Sequence, residues 1–556
     1  MSQWVSRGDP GRALDVVMQD LSGVIPEALM YPVDTPAKSI ARLPEAANMI
    51  RGAVMGGQDI CVFGDYDADG VCSMAIMFLL LTGLQELYYP AVAEKKGRLT
   101  IRAPRRMSEG YGLSEKAVDE VSAGLLITVD NGIAAIEAVK KAKEKGLSVI
   151  IIDHHIPGEE IPDADVIVNP HLCSEPDAFK PFCGAGLSCK LSEYMLAGSP
   201  VIKPIQAIAA IGTIADVVPL HGANRVIVKK GLEAMGKKKI TEGLRCILDV
   251  CRLSLVKSED VAFRLAPMLN APGRLYDNGA IFSSACLAAS KPIEKHANQL
   301  VATNDKRKQL VAESYKRVID QLPASVSGPI VVHVEELHEG IVGIVAGKLA
   351  DSFRVPVYVF TGKDDVLKGS GRCGIDEIHL HELTCRAGEL IERFGGHKGA
   401  VGLSVKRNNL DAFRKAICEA YAERGGPVAT NQVFYDISIA AWDIDNYAAE
   451  QKRFEPFGAG APKPVFLIRG VALVPPISTS SFGKQSSKPH FAFIGSEKQH
   501  LKLRGLNTEL IGFGMAQKYR DMGYPKCIDA LGKIGETRWK KGATTQIELI
   551  DFRPCQ

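Results

Sequence analysis

The chain has no Cys-x-x-Cys pair, although it holds 13 cysteines in 556 residues. Without paired spacing there is no zinc-knuckle signature, and scattered thiols inside apolar runs (Cys61, Cys72, Cys286, Cys418) read as reduced and buried. Cys183 and Cys189 would need partners from elsewhere to hold a metal. No apolar run approaches the ~18 residues of a membrane span, and "MSQWVSRGDPGRALDV" lacks a signal core, so a cytosolic protein without a membrane partner is expected. Aromatic residues are scarce at 6%, and no internal repeat or low-complexity tract is present. The composition, 46% hydrophobic and 24% charged, is that of a globular protein with room for three or four domains. Net charge is only +3, but residues 481–556 carry +6 and the first 480 carry −3. A basic module on a carboxylate-bearing body suits a polyanion gripped at one end and processed at the other; a solvated basic face is the plain alternative.

The stretch "VFGDYDADGV" places Asp65, Asp67 and Asp69 on alternate positions before Gly70. Read as a calcium-binding EF-hand loop starting at Asp65, its twelfth residue is Ile76 rather than the required Glu, and an apolar strand-like run precedes it. Strand, acidic turn and apolar helix make an α/β crossover, whose ligands bind beyond the carboxyl ends of strands. Three further strand-like runs end in "TVD" at Asp130, "IIID" at Asp153 followed by His154 and His155, and "VIVNP", with helical patterns between. Residues 1–225 therefore predict a doubly wound α/β domain with a parallel sheet.

Helical periodicity predicts a connector over 226–325. A second α/β unit follows over 326–425, and short alternating strands over 430–556 predict an OB-like β-barrel.

Asp65, Asp67, Asp69, Asp130, Asp153, His154, His155 and Asp216 in "GTIADVVPL" would share one rim. So many carboxylates repel each other unless divalent cations neutralise them. Two ions fit best, and carboxylate with imidazole suits Mn²⁺ or Mg²⁺ better than zinc. Such a pair supports in-line phosphoryl displacement. Taken singly, Asp130 could make a turn, Asp216 could cap a helix, and the His pair could be structural.

"GDYDADG", "VDNG", "DHH" and "GTIADVVPL" resemble motifs of the DHH phosphoesterase superfamily, and "EGYGL", "LNAPGR", "HEGIVGIVAGKLA", "GSGR", "FGGHKGAVGL" and "EPFGAGAPKPVF" resemble the RecJ family within it, in order, from residue 59 to the end. The resemblance implies a DHH domain, a DHHA1 domain and an OB-fold. It implies metal-dependent 5′ to 3′ exonuclease activity releasing 5′-mononucleotides from single-stranded DNA, in recombination and repair. Asp67, Asp69, Asp130, His154 and Asp216 become metal ligands, with Asp130 bridging. Asp65, His155 and His397 of "GGH" become catalytic: Asp65 in support, His155 facing the scissile phosphate, His397 brought over the site. Ser370 and Arg372 of "KGSGR", with Arg106 favoured over Arg105, would hold the 5′-terminal phosphate, and Arg274 would contact the backbone.

Lys502 and Arg504, with Phe491, Phe493 and Trp539, are candidates for single-strand binding, although the aromatics could equally be barrel core. A helicase and a single-strand-binding protein are the expected partners of a monomer. Where the family's usual run is Trp-His-Pro-Gly this chain has Leu337, His338, Glu339 and Gly340, departing at Leu337 and Glu339, and it departs again at Lys398 and Gly399 after "GGH". Residues 93–100 form an insert-like loop. Two other functions share these residues: a DHH phosphodiesterase for short oligonucleotides or cyclic dinucleotides, and a catalytically silent replication scaffold.

Overall fold

The computed structural model describes residues 3–89, 96–106, 109–110, 112–323, 325–375, 377–425, 432–474, 489–495, 497–506, 508–536 and 545–555. Trp539 and residues 93–95 of the insert-like loop lie outside these. The contacts divide the chain into two compact units: Thr35–Asp216 with Ile227–Ala429, and Met1–Asp34 with Val217–Val226 and Thr430–Gln556.

In the larger unit, Ile60–Phe63, Leu125–Val129 and Ser148–Ile152 are almost wholly buried runs rich in β-branched residues, which is why they form the interior of a parallel sheet. The spatial order is Leu99–Arg102, Ile60–Phe63, Leu125–Val129, Ser148–Ile152, Val166–Val168, all parallel. One face packs on Ile136–Glu144 and the short Glu115–Asp119 helix through Val118, Ala138, Val139 and Ala142. Helix Ala68–Tyr88 lies among the helices Gly184–Met195, Ile202–Ala215 and Gly279–Ala288.

That helix corrects one expectation. Its 21 residues include an 18-residue stretch of mean hydropathy 1.6, long and apolar enough to cross a membrane, but 61% of that stretch is buried. It is apolar all round because protein surrounds it.

Helices from Glu242–Val250 to Glu294–Ile319 lead to a second sheet, ordered Ile391–His397, Ala400–Lys406, Val366–Arg372, Val357–Thr361, Ile330–His333. Helix Glu339–Phe353 covers one face and Leu410–Glu423 the other.

The smaller unit is a seven-stranded, mainly antiparallel sheet running from Ile437–Ala440 to Phe491–Ile494. Its core includes Leu14, Val17, Met18 and Leu29 from the N-terminal segment, packed with Phe454, Phe466 and Phe552. Gln3–Ser6 pairs in parallel with Gln432–Tyr435. Arg225, fully buried, donates to the carbonyls of Leu29 (2.5 Å), Phe454 (2.6 Å) and Pro456 (2.8 Å), so one guanidinium ties three chain segments together.

Cys61, Cys72 and Cys286 are buried thiols as expected, but Cys418 is exposed. Cys527 and Cys555 form a disulfide joining two neighbouring strands, which no local spacing announces across 28 residues. Cys183 is no metal ligand: it is the N-cap of Gly184–Met195, its Sγ accepting from the Gly186 N–H (3.2 Å) and donating to Thr213 Oγ1 (3.5 Å).

Candidate metal centre and adjoining cavity

Strand Ile60–Phe63 ends in a turn that presents Asp65, and Asp67 then caps helix Ala68–Tyr88, its Oδ1 accepting from the N–H groups of Asp69 and Gly70 (3.0 and 3.1 Å). The cap fixes one oxygen of Asp67. Asp130 follows its strand with φ 61°, a left-handed conformation that Asp tolerates better than most residues. Asn131 donates to Val129 O (2.9 Å) and Phe63 O (3.4 Å), binding two strand ends beside it.

Asp69 reaches across to the amino end of Gly184–Met195, accepting from Gly184 N (2.6 Å) and Ala185 N (2.9 Å). A Cβ on Gly184 would come 2.6 Å from the Asp130 Cβ, so only glycine lets this helix end approach so closely. Gly212, four residues before Asp216, similarly leaves room for Asp69 Oδ1, which a Cβ would meet at 2.7 Å.

The resulting donor atoms form three overlapping groups, each within 4.8 Å: Asp65, Asp67 and Asp130; Asp69, His154 and Asp216; Asp130, His154 and His155. His154 Nε2 lies 3.1 Å from Asp130, 3.8 Å from Asp216 and 3.9 Å from Asp69. Burial, reinforced by Asp67, pushes the Asp65 carboxyl up to about 8. Burial with Asp69 does the same to Asp216, to about 8. Burial also raises Asp67 and Asp130, with neighbouring carboxylates adding to it. Burial holds His154 below its ordinary value. Oxygen donors with imidazole and no thiolate match the chemistry of Mn²⁺ or Mg²⁺, and a shortage of positive charge among these buried acids is what cations would relieve.

Asp153 is absent from these groups and has another task. Its Oδ1 accepts from the His154 and His155 N–H groups (2.8 and 3.1 Å) and lies 2.7 Å from His155 Nδ1, while Oδ2 accepts from Ile133 N (3.0 Å). Burial disfavours a charged His155, but the bond to Asp153 and its negative charge outweigh this, and His155 rises to about 9.

A cavity of about 1020 Å³ holds the next set of predicted residues: Arg106, Arg274, Ser370, Arg372 and His397 all line it, together with Tyr66 from the acidic turn. Arg106 lies over the Tyr66 ring at 4.5 Å, whereas Arg105 is engaged by Glu109 and Glu120. Arg372 donates to Ser370 Oγ (2.8 Å). Burial, then the charges of Arg106 and Arg307, bring Arg274 down to about 10; burial and Arg106 lower Arg372 as well. Arg106, Arg274 and Arg372 converge on one space, and guanidiniums so gathered are equipment for an anion. His397 is exposed at the end of its strand. Arg307, on the long helix Glu294–Ile319, and Tyr66 had no signal in the sequence beyond their neighbourhood.

The run 337–340, which departs from the family pattern at Leu337 and Glu339, starts a helix. Leu337 is buried, His338 caps helix Glu339–Phe353 through Gly340 N (3.1 Å), and Glu339 pairs with Lys368 at 2.9 Å. In the smaller unit, Phe491 and Phe493 are partly buried against the core, with Arg520 over the Phe493 ring at 4.2 Å. Lys502 bonds Glu509 at 2.9 Å, and Arg504 is half-buried on the same strand.

Parallel strands ending in acids and imidazoles define the DHH class of phosphoesterase, and the family models agree: DHH family, N-terminal domain, over residues 59–213; DHHA1 domain over 327–423; and RecJ OB domain over 435–551. The single-stranded-DNA-specific exonuclease RecJ of Bacillus subtilis is 31% identical across 92% of this chain, which spans 63% of that relative's length. The same-named protein of Dickeya dadantii is 31% identical, with 76% of this chain matching 77% of it. A crystal structure of RecJ from Thermus thermophilus in complex with Mn²⁺ superposes with a TM-score of 0.77 at 27% identity, covering 98% of this chain and 76% of that one. Another from the same organism is in complex with Mg²⁺ (TM-score 0.71, 26% identity, 100% and 79% covered). The chain belongs to the RecJ family.

Proposed function

We propose that the chain is a metal-dependent, single-strand-specific 5′ to 3′ exonuclease that releases 5′-mononucleotides and acts in DNA recombination and repair. The observation that carries this reading is the continuity from the acidic donor groups, through Tyr66 of the same turn, to the guanidinium-lined cavity. Asp67, Asp69, Asp130, His154 and Asp216 are the residues that would hold two Mn²⁺ or Mg²⁺ ions, with Asp65 in support. Ions bound there supply Lewis-acid charge and lower the pKa of bound water.

The chain's own residues do the rest. His155, kept charged by Asp153, offers a donor to a phosphoryl oxygen, and Asp153 fixes which ring nitrogen faces outward. Arg106, Ser370 and Arg372 hold a terminal 5′-phosphate, which sets direction, and Arg274 and His397 contact the strand beside it. Lys502 and Arg504 of the smaller unit are further contacts for single-stranded DNA.

Digesting 5′-labelled and 3′-labelled single strands with Mn²⁺ tests this. Early loss of the 5′ label as a mononucleotide, abolished by Asp130→Ala, is the expected result. Equal attack on duplex, unaffected Asp130→Ala activity, or a dinucleotide cleaved in preference to a long strand would defeat it.

A further inference from the structure

We infer that Glu339 acts as a specificity residue that discriminates against negative charge lying beyond the terminal 5′-phosphate, so that a 5′-monophosphate is accepted and a 5′-polyphosphate is disfavoured. This rests on the reading of Arg106, Ser370 and Arg372 as the terminal phosphate site.

Strand register carries the argument. Arg372 pairs with Ala400 and that with His397; Ser370 pairs with Gly402 and that with Gly395. Because side chains alternate, the next row on the same face is Lys368, Ser404 and Arg393, about 7 Å further along at two residues of strand rise. All three rows line the one cavity. The space therefore continues past the proposed phosphate site, and its third row carries a hydroxyl and two cations.

Helix Glu339–Phe353 forms the opposite wall and treats the rows differently. Beside the first two rows it presents Gly343, where a Cβ would come 2.8 Å from Arg372 Nη2 and 3.1 Å from Ser370 Oγ. One helical turn earlier it presents Glu339, whose carboxylate bonds Lys368 at 2.9 Å. Opposite Arg372 and Ser370 the helix therefore sets no side chain and no charge, whereas in the third row it sets the Glu339 carboxylate on Lys368. A β- or γ-phosphate lying along this face would have to compete with Glu339 for Lys368 and sit next to its charge. The Glu339 side chain is 42% exposed, so the discrimination is moderate and weakens with salt.

The test uses the full chain with Mn²⁺ and 3′-labelled single strands carrying a 5′-hydroxyl, a 5′-monophosphate or a 5′-triphosphate. The ratio of kcat/KM for monophosphate over triphosphate is the readout. Glu339→Gln is expected to narrow that ratio about fivefold. Lys368→Met, which leaves Glu339 without its counter-ion, is expected to widen it. A ratio unmoved by Glu339→Gln, or narrowed by both variants, overturns the inference while the phosphate site stands. A wild type indifferent to phosphate against hydroxyl overturns the phosphate site and this inference with it.

Discussion

Asp65 and Asp216 each hold their proton up to about pH 8, well above the ordinary carboxyl value of 3.8. The sign of the consequence is fixed by linkage. Between about pH 4 and pH 8 the folded, metal-free chain binds protons that the unfolded chain has released, so these groups stabilise it fully at low pH and cease to as pH rises through 8. A divalent cation takes over where the proton leaves. Scanning calorimetry should therefore show that Mn²⁺ raises Tm more at pH 8 than at pH 6 relative to a chelated sample; equal gains at both would count against a cation among these residues. At this scale the sequence was informative. Alternate aspartates after a buried strand, and acids at successive strand ends, identify a shared rim because parallel strands end on one side. The division of labour within Asp153, His154 and His155 was not legible, since the turn after the strand decides which of three consecutive polar groups faces the donors.

Among elements, the approach of Gly184–Met195 to the acidic turn matters most. Its first two N–H groups hold Asp69, and the missing Cβ of Gly184 lets Asp130 lie against it. Gly184→Ala forces backbone or Asp130 to move, with an expected stability loss of about 1–3 kcal/mol, the usual cost of overpacking. Denaturant melts and Mn²⁺ titration of the variant should show both lower stability and weaker binding. Periodicity found the strands of both α/β sheets and most of the helices because each carries its own apolar pattern. It could not find Gly184 or Gly343, whose reasons are side chains more than 25 residues away in sequence.

At the scale of the whole molecule, the chain moves between its two units after Asp34, Asp216, Val226 and Ala429. The smaller unit has Leu14, Val17, Met18 and Leu29 in its core and Arg225 binding its carbonyls. A fragment of residues 430–556 alone should lack cooperative thermal unfolding by circular dichroism, and a well-folded fragment would contradict this account of its core. Nothing local in residues 1–34 or 217–226 announces that destination, because each segment buries its apolar side chains against partners hundreds of residues away.

The buried Arg225 has a bearing on descent. Its guanidinium donates to main-chain oxygens of two other stretches of the polypeptide, at Leu29 and at Phe454 and Pro456, so the barrel cannot be traded as a cassette. Exchanging everything after residue 430 for a foreign barrel would strand an arginine and two short apolar segments fitted to surfaces no longer there, and the three pieces must therefore evolve in concert.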